Sequence, residues 1–522
     1  MKKSLAILSA LTITSIMLAA CGGGNSTPAK DKKDSGQASQ APVDANKKYK
    51  IRAMNILYGT AGPETGTGKK AIEDRYNIDF EYIPVASGEY TNKLGVTLAS
   101  GDIPDLVLFP QLDAIYFNAI NSGQFLPIET YMNDAKNYPN LAKLPKDVTD
   151  TLKLNGHIYG VPRLRALPGP SITLRKDWMD KLGLKVPTNY DELYNVLKAF
   201  KEKDPDGNGK DDTFGVSMGV GADGALIGVG SLTASFRSGA GFGSNVWVED
   251  GKGGIVLADI GPNAKPSLTF LAKLYKDGLI AKDFAVKKDQ QVKDDFLLGK
   301  TGAISWAYNA YDPTNTINKA KAANPNWSVI SVPPIKAMDG SEGGYIKDTG
   351  YFGIFGINKD VAKDPGKLAR VLKMLDDQIG DDGANFIKWG VEGVHYKNEN
   401  GKKTETDVGS KEGPIKYKLT DHAAEGDWIY IASDTDESKK YRMEAFDNAL
   451  KGKPWSKQDT GLYSKTYAEK GKELLKQIYD AEVKIIMGEA PVDSFDKAIA
   501  DFNSKGGDLI TKEMNDAWKA RK

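Results

Sequence analysis

The run Asp204-Pro-Asp206-Gly-Asn208-Gly209-Lys210-Asp-Asp212 places hard oxygen donors at every second residue. Calcium takes about six to eight such oxygens, and an EF-type loop offers them at alternate positions, one as a backbone carbonyl, with a glycine for the sharp turn. Here the donors are Asp204, Asp206, Asn208, the carbonyl of Lys210 and Asp212, with Gly209 at the turn. Gly215 stands where the bidentate Glu of a sensor loop belongs. The expectation is a structural Ca2+ that braces the loop after a helix.

Other spacings are weaker. Gly215-Val-Ser217-Met-Gly219 fits the pattern of a nucleophile elbow, which needs a helix directly after the serine. Gly219-Val-Gly221-Ala-Asp-Gly224 is a poor helix start, and as a phosphate loop it stands alone. Lys300-Thr-Gly302 has its only notable Ser-x-x-Lys, Ser494 to Lys497, on the wrong side. Three histidines, His157, His395 and His422, are all that could supply a base. The aromatic content, with 8 Trp, 23 Tyr and 17 Phe, points elsewhere. Sugars stack their apolar faces on aromatic rings and bond their hydroxyls to polar side chains. Trp306 and Tyr308 follow a strand, where ligands of α/β proteins bind. Tyr351 and Trp389 fall near glycine-rich turns.

The chain has 522 residues and one cysteine, so it holds no internal disulfide and no Cys-rich zinc site. With 70 Lys+Arg against 69 Asp+Glu it lacks the basic excess of a nucleic-acid binder. The cysteine is Cys21, preceded by Met1-Lys2-Lys3, an uncharged apolar run from Ser4, and Leu18-Ala19-Ala20. That is a secretory signal, and the small residues before Cys21 resemble a bacterial lipobox. The resemblance implies cleavage after residue 20 and acylation of Cys21, which anchors the chain to the outer face of the cell membrane. Removing residues 1–20, with two Lys and no acid, takes the net charge from +1 to −1. Residues 21–48 carry one large aliphatic, Val43, and no aromatic, and read as a flexible tether.

The elements that must position these residues begin at Tyr49. Tyr49 to Leu57 alternates as a strand, Gly66 to Tyr76 reads as a helix, and Ile78 to Val85 as a second strand. Tyr90 to Ala99 is helical with Leu94 and Leu98 on one face, and Leu106 to Phe109 is a short buried strand. Strands alternating with helices predict an α/β fold with parallel pairing. Thr188-Asn-Tyr-Asp191 reads as a capping box before Leu193, Val196, Leu197 and Phe200. Asp364-Pro365 reads as an N-cap with proline at the first helical position. Ala303 to Trp306 is a strand, and the last 60 residues read mostly as helices.

Several segments resemble family 1 of the extracellular solute-binding proteins, which serve ABC importers of sugars and oligosaccharides. They are Leu98-Ala-Ser-Gly101-Asp-Ile-Pro-Asp105, Gly156-His-Ile-Tyr-Gly160-Val-Pro162, Arg175-Lys-Asp-Trp178 through Pro187-Thr188, and Trp389-Gly-Val-Glu392-Gly-Val-His-Tyr396. The subgroup is similar to the alginate-oligosaccharide binders, whose calcium loop matches Asp204 to Asp212; Thr213 stands where they add an acidic ligand. The resemblance implies a two-lobe periplasmic-binding-protein-like fold (type II) with a hinge between the lobes. Lobe 1 takes residues 49–163 and 345–410, lobe 2 takes 164–344, and the helical region 411–522 belongs mainly to lobe 2. The implied solute contacts are Trp306, Tyr308, Tyr351 and Trp389 as stacking faces, with Asp113, Arg165 and Glu392 as polar partners. Arg163, Arg165 and Arg237 suit an acidic sugar, or equally a salt-bridged wall. The expected protein is a monomeric, lipid-anchored, non-enzymatic receptor that binds an oligosaccharide and hands it to an ABC permease. A receptor of the same fold for peptide or another solute, and a secreted hydrolase using Ser217 or a carboxylate pair, are the alternatives.

Overall fold

The computed structural model describes residues 46–521 apart from 59, 155, 166–167, 234–244, 339, 348 and 423–430. Cys21, the signal segment, the tether up to residue 45 and Arg237 lie outside the described residues. The chain runs through β1 (Tyr49–Leu57), α1 (Thr67–Tyr76), β2 (Ile78–Ala86), α2 (Tyr90–Ser100), β3 (Leu106–Phe109) and α3 (Ala114–Asn121). It continues through β4 (Val161–Leu164), β5 (Ser171–Arg175), α4 (Tyr190–Glu202), β6 (Ala303–Trp306), β7 (Val329–Val332) and β8 (Tyr351–Ile357). Helices α5 (Pro365–Ile379), α6 (Asp381–Trp389), α7 (Asp436–Ala449), α8 (Lys465–Ile486), α9 (Ser494–Phe502) and α10 (Asp508–Arg521) complete the elements that frame the site.

The first sheet has the order β2-β1-β3-β8-β4. β1 pairs in parallel with β2, Tyr49 opposite Ile78, and with β3, Ala53 opposite Leu106. The crossover helices α1 and α2 impose this, since parallel neighbours need a long connection. All four residues of β3 are buried, and Tyr90 on α2 donates its hydroxyl to Leu108 O at 2.7 Å. β8 returns from far along the chain and runs antiparallel to both β3 and β4. Asp364 caps α5 as expected, its Oδ1 accepting from Gly366 N and Lys367 N.

The second sheet, β6-β5-β7, is antiparallel. Helix α4 buries Leu193, Val196, Leu197 and Phe200. Its cap lies one residue beyond the expected Thr188: Asn189 accepts from Glu192 N, and Glu192 takes the backbone N–H and the hydroxyl of Thr188. Gly302 enters β6 so close beneath Phe200 that a Cβ there would sit 2.1 Å from the ring.

Each sheet has its own core. The first draws on residues 49–164, 351–387, Tyr417 and Leu419. The second joins Ile172 to Ile335 with Leu474, Ile478 and Ile485 of α8 and Phe495, Met514 and Trp518 beyond it. A smaller cluster on the second side holds Trp306, Tyr308, Tyr311 and Trp327 with Tyr441 and Ala445 of α7. Two chain crossings between the cores meet at a bridge between Pro168 and Lys347, beside the hydrogen bond from Arg165 N to Gly350 O. No helix among the described residues is long and apolar enough to cross a membrane.

Candidate functional site

A cavity of about 680 Å³ opens where the first core faces the small aromatic cluster. That volume falls within the roughly 300–1,000 Å³ of small-molecule sites. One wall comes from the first sheet: Tyr58, just past the C-terminal end of β1, Arg163 and Arg165 around the end of β4, and Phe352 in β8. Thr420 and Asp421 close that side. Tyr308, Asn309 and Asp312 past β6, Lys293, and Arg442 on α7 form the opposite wall.

The aromatic faces are Tyr58, Phe352 and Tyr308. Tyr58 is 64 % exposed and meets Phe352 edge-on at 6.1 Å. Tyr308 rests edge-on against Phe446 at 5.8 Å. Phe352 faces the cavity because successive strand residues point to opposite faces and Tyr351 points into the core; β8 is bulged just beyond it. The register with β4 shifts between Tyr351 and Ile354, and Gly353 within that shift has φ +72° with Phe109 O 2.4 Å from where its Cβ would be. A side chain there would be both strained and blocked.

The polar residues are held by their own pairs. Arg163 Nε donates to Asp421 Oδ2 at 3.0 Å, and Lys418 bonds the other oxygen of the same carboxylate. Burial drives the Asp421 carboxyl up, but Lys418 and Arg163 outweigh it and keep it below the usual carboxylate range. Arg442 pairs with Asp434 at 3.0 Å, their side chains 3 % and 0 % exposed. Asp434 also accepts from Ser438 Oγ and Ile431 N.

A second groove of about 1100 Å³ adjoins the cavity and shares Lys388, Ile431 and Ala432 with it. Trp389 lies in it with Lys402, Lys403 and Glu405, across from Thr435 and Lys439. The turn after Trp389 is fixed by His395, which is buried. Its Nδ1 accepts from Val391 N at 2.9 Å, leaving Nε2–H to donate to Thr67 Oγ1 at 3.1 Å, and Thr67 donates to Glu412.

Of the residues expected at the site, the structure brings Tyr308, Arg163 and Arg165 to the cavity and Trp389 to the adjoining groove. Four others are used elsewhere. Asp113 caps α3, accepting from Ile115 N and Tyr116 N. Trp306 is core, edge-on to Phe296 at 5.2 Å and Tyr311 at 5.8 Å. Tyr351 is buried in the first core, one residue from the side chain that faces the cavity. Glu392 is exposed and accepts a long 3.4 Å bond from Tyr396 OH. Tyr58, Phe352, Lys418 and Asp421 also line the cavity, none of them among the residues expected there. For Tyr58 a signal existed, since it immediately follows a predicted strand.

The Asp204–Asp212 loop closes on itself. Asp204 accepts from the N–H groups of Gly207, Asn208 and Gly209 at 3.0–3.1 Å. Asn208 Nδ2 donates to Asp206 at 2.7 Å and Asp212 at 3.1 Å, and Asn208 Oδ1 accepts from Lys210 N. Burial and the neighbouring Asp204 and Asp212 raise the Asp206 carboxyl pKa. The donor set is all oxygen, as calcium requires, yet among the described residues no three acidic or imidazole groups gather into a cation cage. Thr213 is buried and donates to Phe200 O, so it supplies no ligand. Ser217 is no nucleophile: it is buried and donates to Val292 O at 2.6 Å. Gly221 to Gly224 is a tight turn, with Gly221 N bonded to Ala225 O, rather than a phosphate cradle.

Residues 61–376 match the family model described as bacterial extracellular solute-binding protein. The chain is 31 % identical over 513 residues to the polygalacturonan/rhamnogalacturonan-binding protein YtcQ of Bacillus subtilis, covering 97 % of this chain and 96 % of that one. Among solved structures it superposes on the alginate-binding protein AlgQ2, solved without calcium ion, with TM-score 0.65 at 19 % identity, covering 91 % and 98 % of the two chains. The ABC-transporter substrate-binding protein FusA of Streptococcus pneumoniae, in complex with kestose, gives TM-score 0.64 at 18 % identity, covering 90 % and 99 %. The two cores, the crossings between them and the cavity they enclose are the α/β solute-binding fold, and the chain belongs to the bacterial extracellular solute-binding proteins, receptors rather than enzymes.

Proposed function

We propose that the protein captures an oligosaccharide in the cavity between its two cores and delivers it to an ABC permease. The observation that carries this is the wall itself: Tyr58 and Phe352 from one side and the largely buried Tyr308 from the other line it with aromatic rings, with Arg163, Arg165, Asn309 and Thr420 as hydroxyl or carboxylate partners. YtcQ and FusA, whose names concern saccharides, support the same reading. Each lobe is centred on one core, and the crossings beside Pro168 and Lys347 act as the hinge on which they close. The protein works outside the cell, tethered through acylated Cys21, as a monomer.

A thermal-shift screen tests this. A binder gains RT ln(1 + [L]/Kd), so oligosaccharides should raise the melting temperature and be recovered uncleaved. Consumption of the sugar, or stabilisation by peptides alone, would overturn the proposal. Membrane retention of Cys21→Ser would overturn the anchor.

Calcium in the Asp204–Asp212 loop is part of the proposal. For the ion to bind, Asp204, Asp206 and Asp212 would have to turn carboxylate oxygens inward beside Asn208 Oδ1 and the Lys210 carbonyl; its charge would offset the neighbouring acids that raise Asp206, and it would brace the loop after α4. Its removal should lower the melting temperature; an unchanged value in EGTA contradicts it.

A further inference from the structure

We infer that the solute is an oligosaccharide carrying carboxylates, and that it extends from the cavity across Trp389 into the adjoining groove. This rests on the receptor reading above and narrows it to an anionic ligand of several sugar units.

The charge of the walls carries the first half. Six Lys and Arg line the cavity against two Asp, in a chain whose basic and acidic residues balance to +1. Both acids are committed. Asp421 is one carboxylate between two cations, Arg163 and Lys418, so that group keeps a positive charge. Asp312 caps the turn after it, accepting from Asn315 N at 2.7 Å. Arg442 is neutralised by Asp434 and Lys293 pairs with Asp289 outside the lining, whereas the Arg165 guanidinium, half-buried at the chain crossing, has no ion-pair partner among the described residues. A neutral sugar gains little from such a field. A carboxylate gains charge-assisted bonds, and a guanidinium fork matches its two oxygens.

The groove carries the second half. It is continuous with the cavity through Lys388, Ile431 and Ala432. Lys403 Nζ stands 5.7 Å from the Trp389 ring and 5.0 Å from the Tyr396 ring, and Lys388 Nζ stands 5.9 Å from Trp389. An indole face with ammonium groups beside it suits a sugar ring whose edge bears a carboxylate. The acids lining the groove offer weak opposition. Asp434 is tied to Arg442, burial raises the Glu405 carboxyl, and Asp436 lies in the first turn of α7, where the helix dipole favours an acid.

The test is calorimetric titration of the whole protein with oligogalacturonates of two and six units, and with their methyl esters, at low and high NaCl. The hexamer acid should bind about tenfold or more tighter than its ester and weaken with salt. Arg165→Gln should remove most of that difference, weakening the acid far more than the ester. Trp389→Ala should weaken the hexamer about tenfold and leave the dimer unchanged. Lys403→Gln, which keeps a donor for Asn385 Oδ1, should weaken the hexamer acid more than its ester. Equal binding of acid and ester overturns the anionic class but leaves the receptor reading standing. A Trp389 effect that is the same at both lengths overturns the extended path. Failure of every saccharide to bind overturns the receptor reading itself.

Discussion

Asp259 and Glu482 are each 1 % exposed on the second core, and each has one carboxyl oxygen without a partner among the described residues. Asp259 sits in the turn Ala258–Ile260 and accepts from Asn245 N at 2.8 Å; Glu482 projects from α8. Burial raises both carboxyls, and the Asp259 charge raises Glu482 further. Asp259 is pushed from an ordinary 3.8 to about 7. Its folded pKa lies above its unfolded one, so the stabilisation is complete below pH 4 and is lost as pH rises through 7. A shift of about 3 units corresponds to about 4 kcal/mol at 1.36 kcal/mol per unit, the upper bound on what this group removes by pH 8. Asp259→Asn keeps an acceptor for Asn245 N–H and cannot ionise. In urea unfolding followed by tryptophan fluorescence, the wild type should lose stability between pH 5 and pH 8, and the variant should lose markedly less and be the more stable at pH 8. A variant with the same pH slope as wild type, or one less stable at pH 8, would refute the reasoning.

Three further outcomes are expected. Phe352→Ala should weaken solute binding with little change in melting temperature, whereas Tyr351→Ala, which empties part of the first core, should destabilise by about 3 kcal/mol or more; denaturation and titration of the pair distinguish the two. Arg442→Met leaves Asp434 buried and unpaired, which should cost about 3–5 kcal/mol in urea unfolding, with partial recovery on adding Asp434→Asn. His395, whose pKa is lowered chiefly by burial, stabilises the turn after Trp389 above pH 6.5 and loses that contribution as pH falls, because a protonated Nδ1 cannot accept from Val391 N–H. The hydrogen-exchange protection factor of Val391 should therefore drop between pH 7 and pH 5, and constant protection would contradict the assignment.

The first sheet is legible because its signals are local. Alternation and length place β1 and β3 at the expected residues, and Asp364-Pro365 marks the start of α5. The site is less legible because its residues are gathered from distant segments. Nothing near Asp421 announces that Arg163, 258 residues away, pairs with it. Aromatic type also does not tell which face of a strand a ring takes. Trp306 ends β6 pointing into the core, while Tyr308 two residues later lines the cavity. In β8 Tyr351 lies inside and Phe352, the next residue, faces the cavity, and the bulge at Gly353 then brings Ile354 back into the core. Asp113 misled because a carboxylate before a helix serves equally as a cap or a ligand, and the cap bonds are made within three residues.

The most direct test of the central claim is a crystal structure of the chain grown with an oligogalacturonate. The sugar is expected between Tyr58 and Phe352 on one side and Tyr308 on the other, intact, with a carboxylate on Arg165 and its far units over Trp389. Sugar bound on an outer surface with the cavity empty, or a cleaved product within it, would contradict the account.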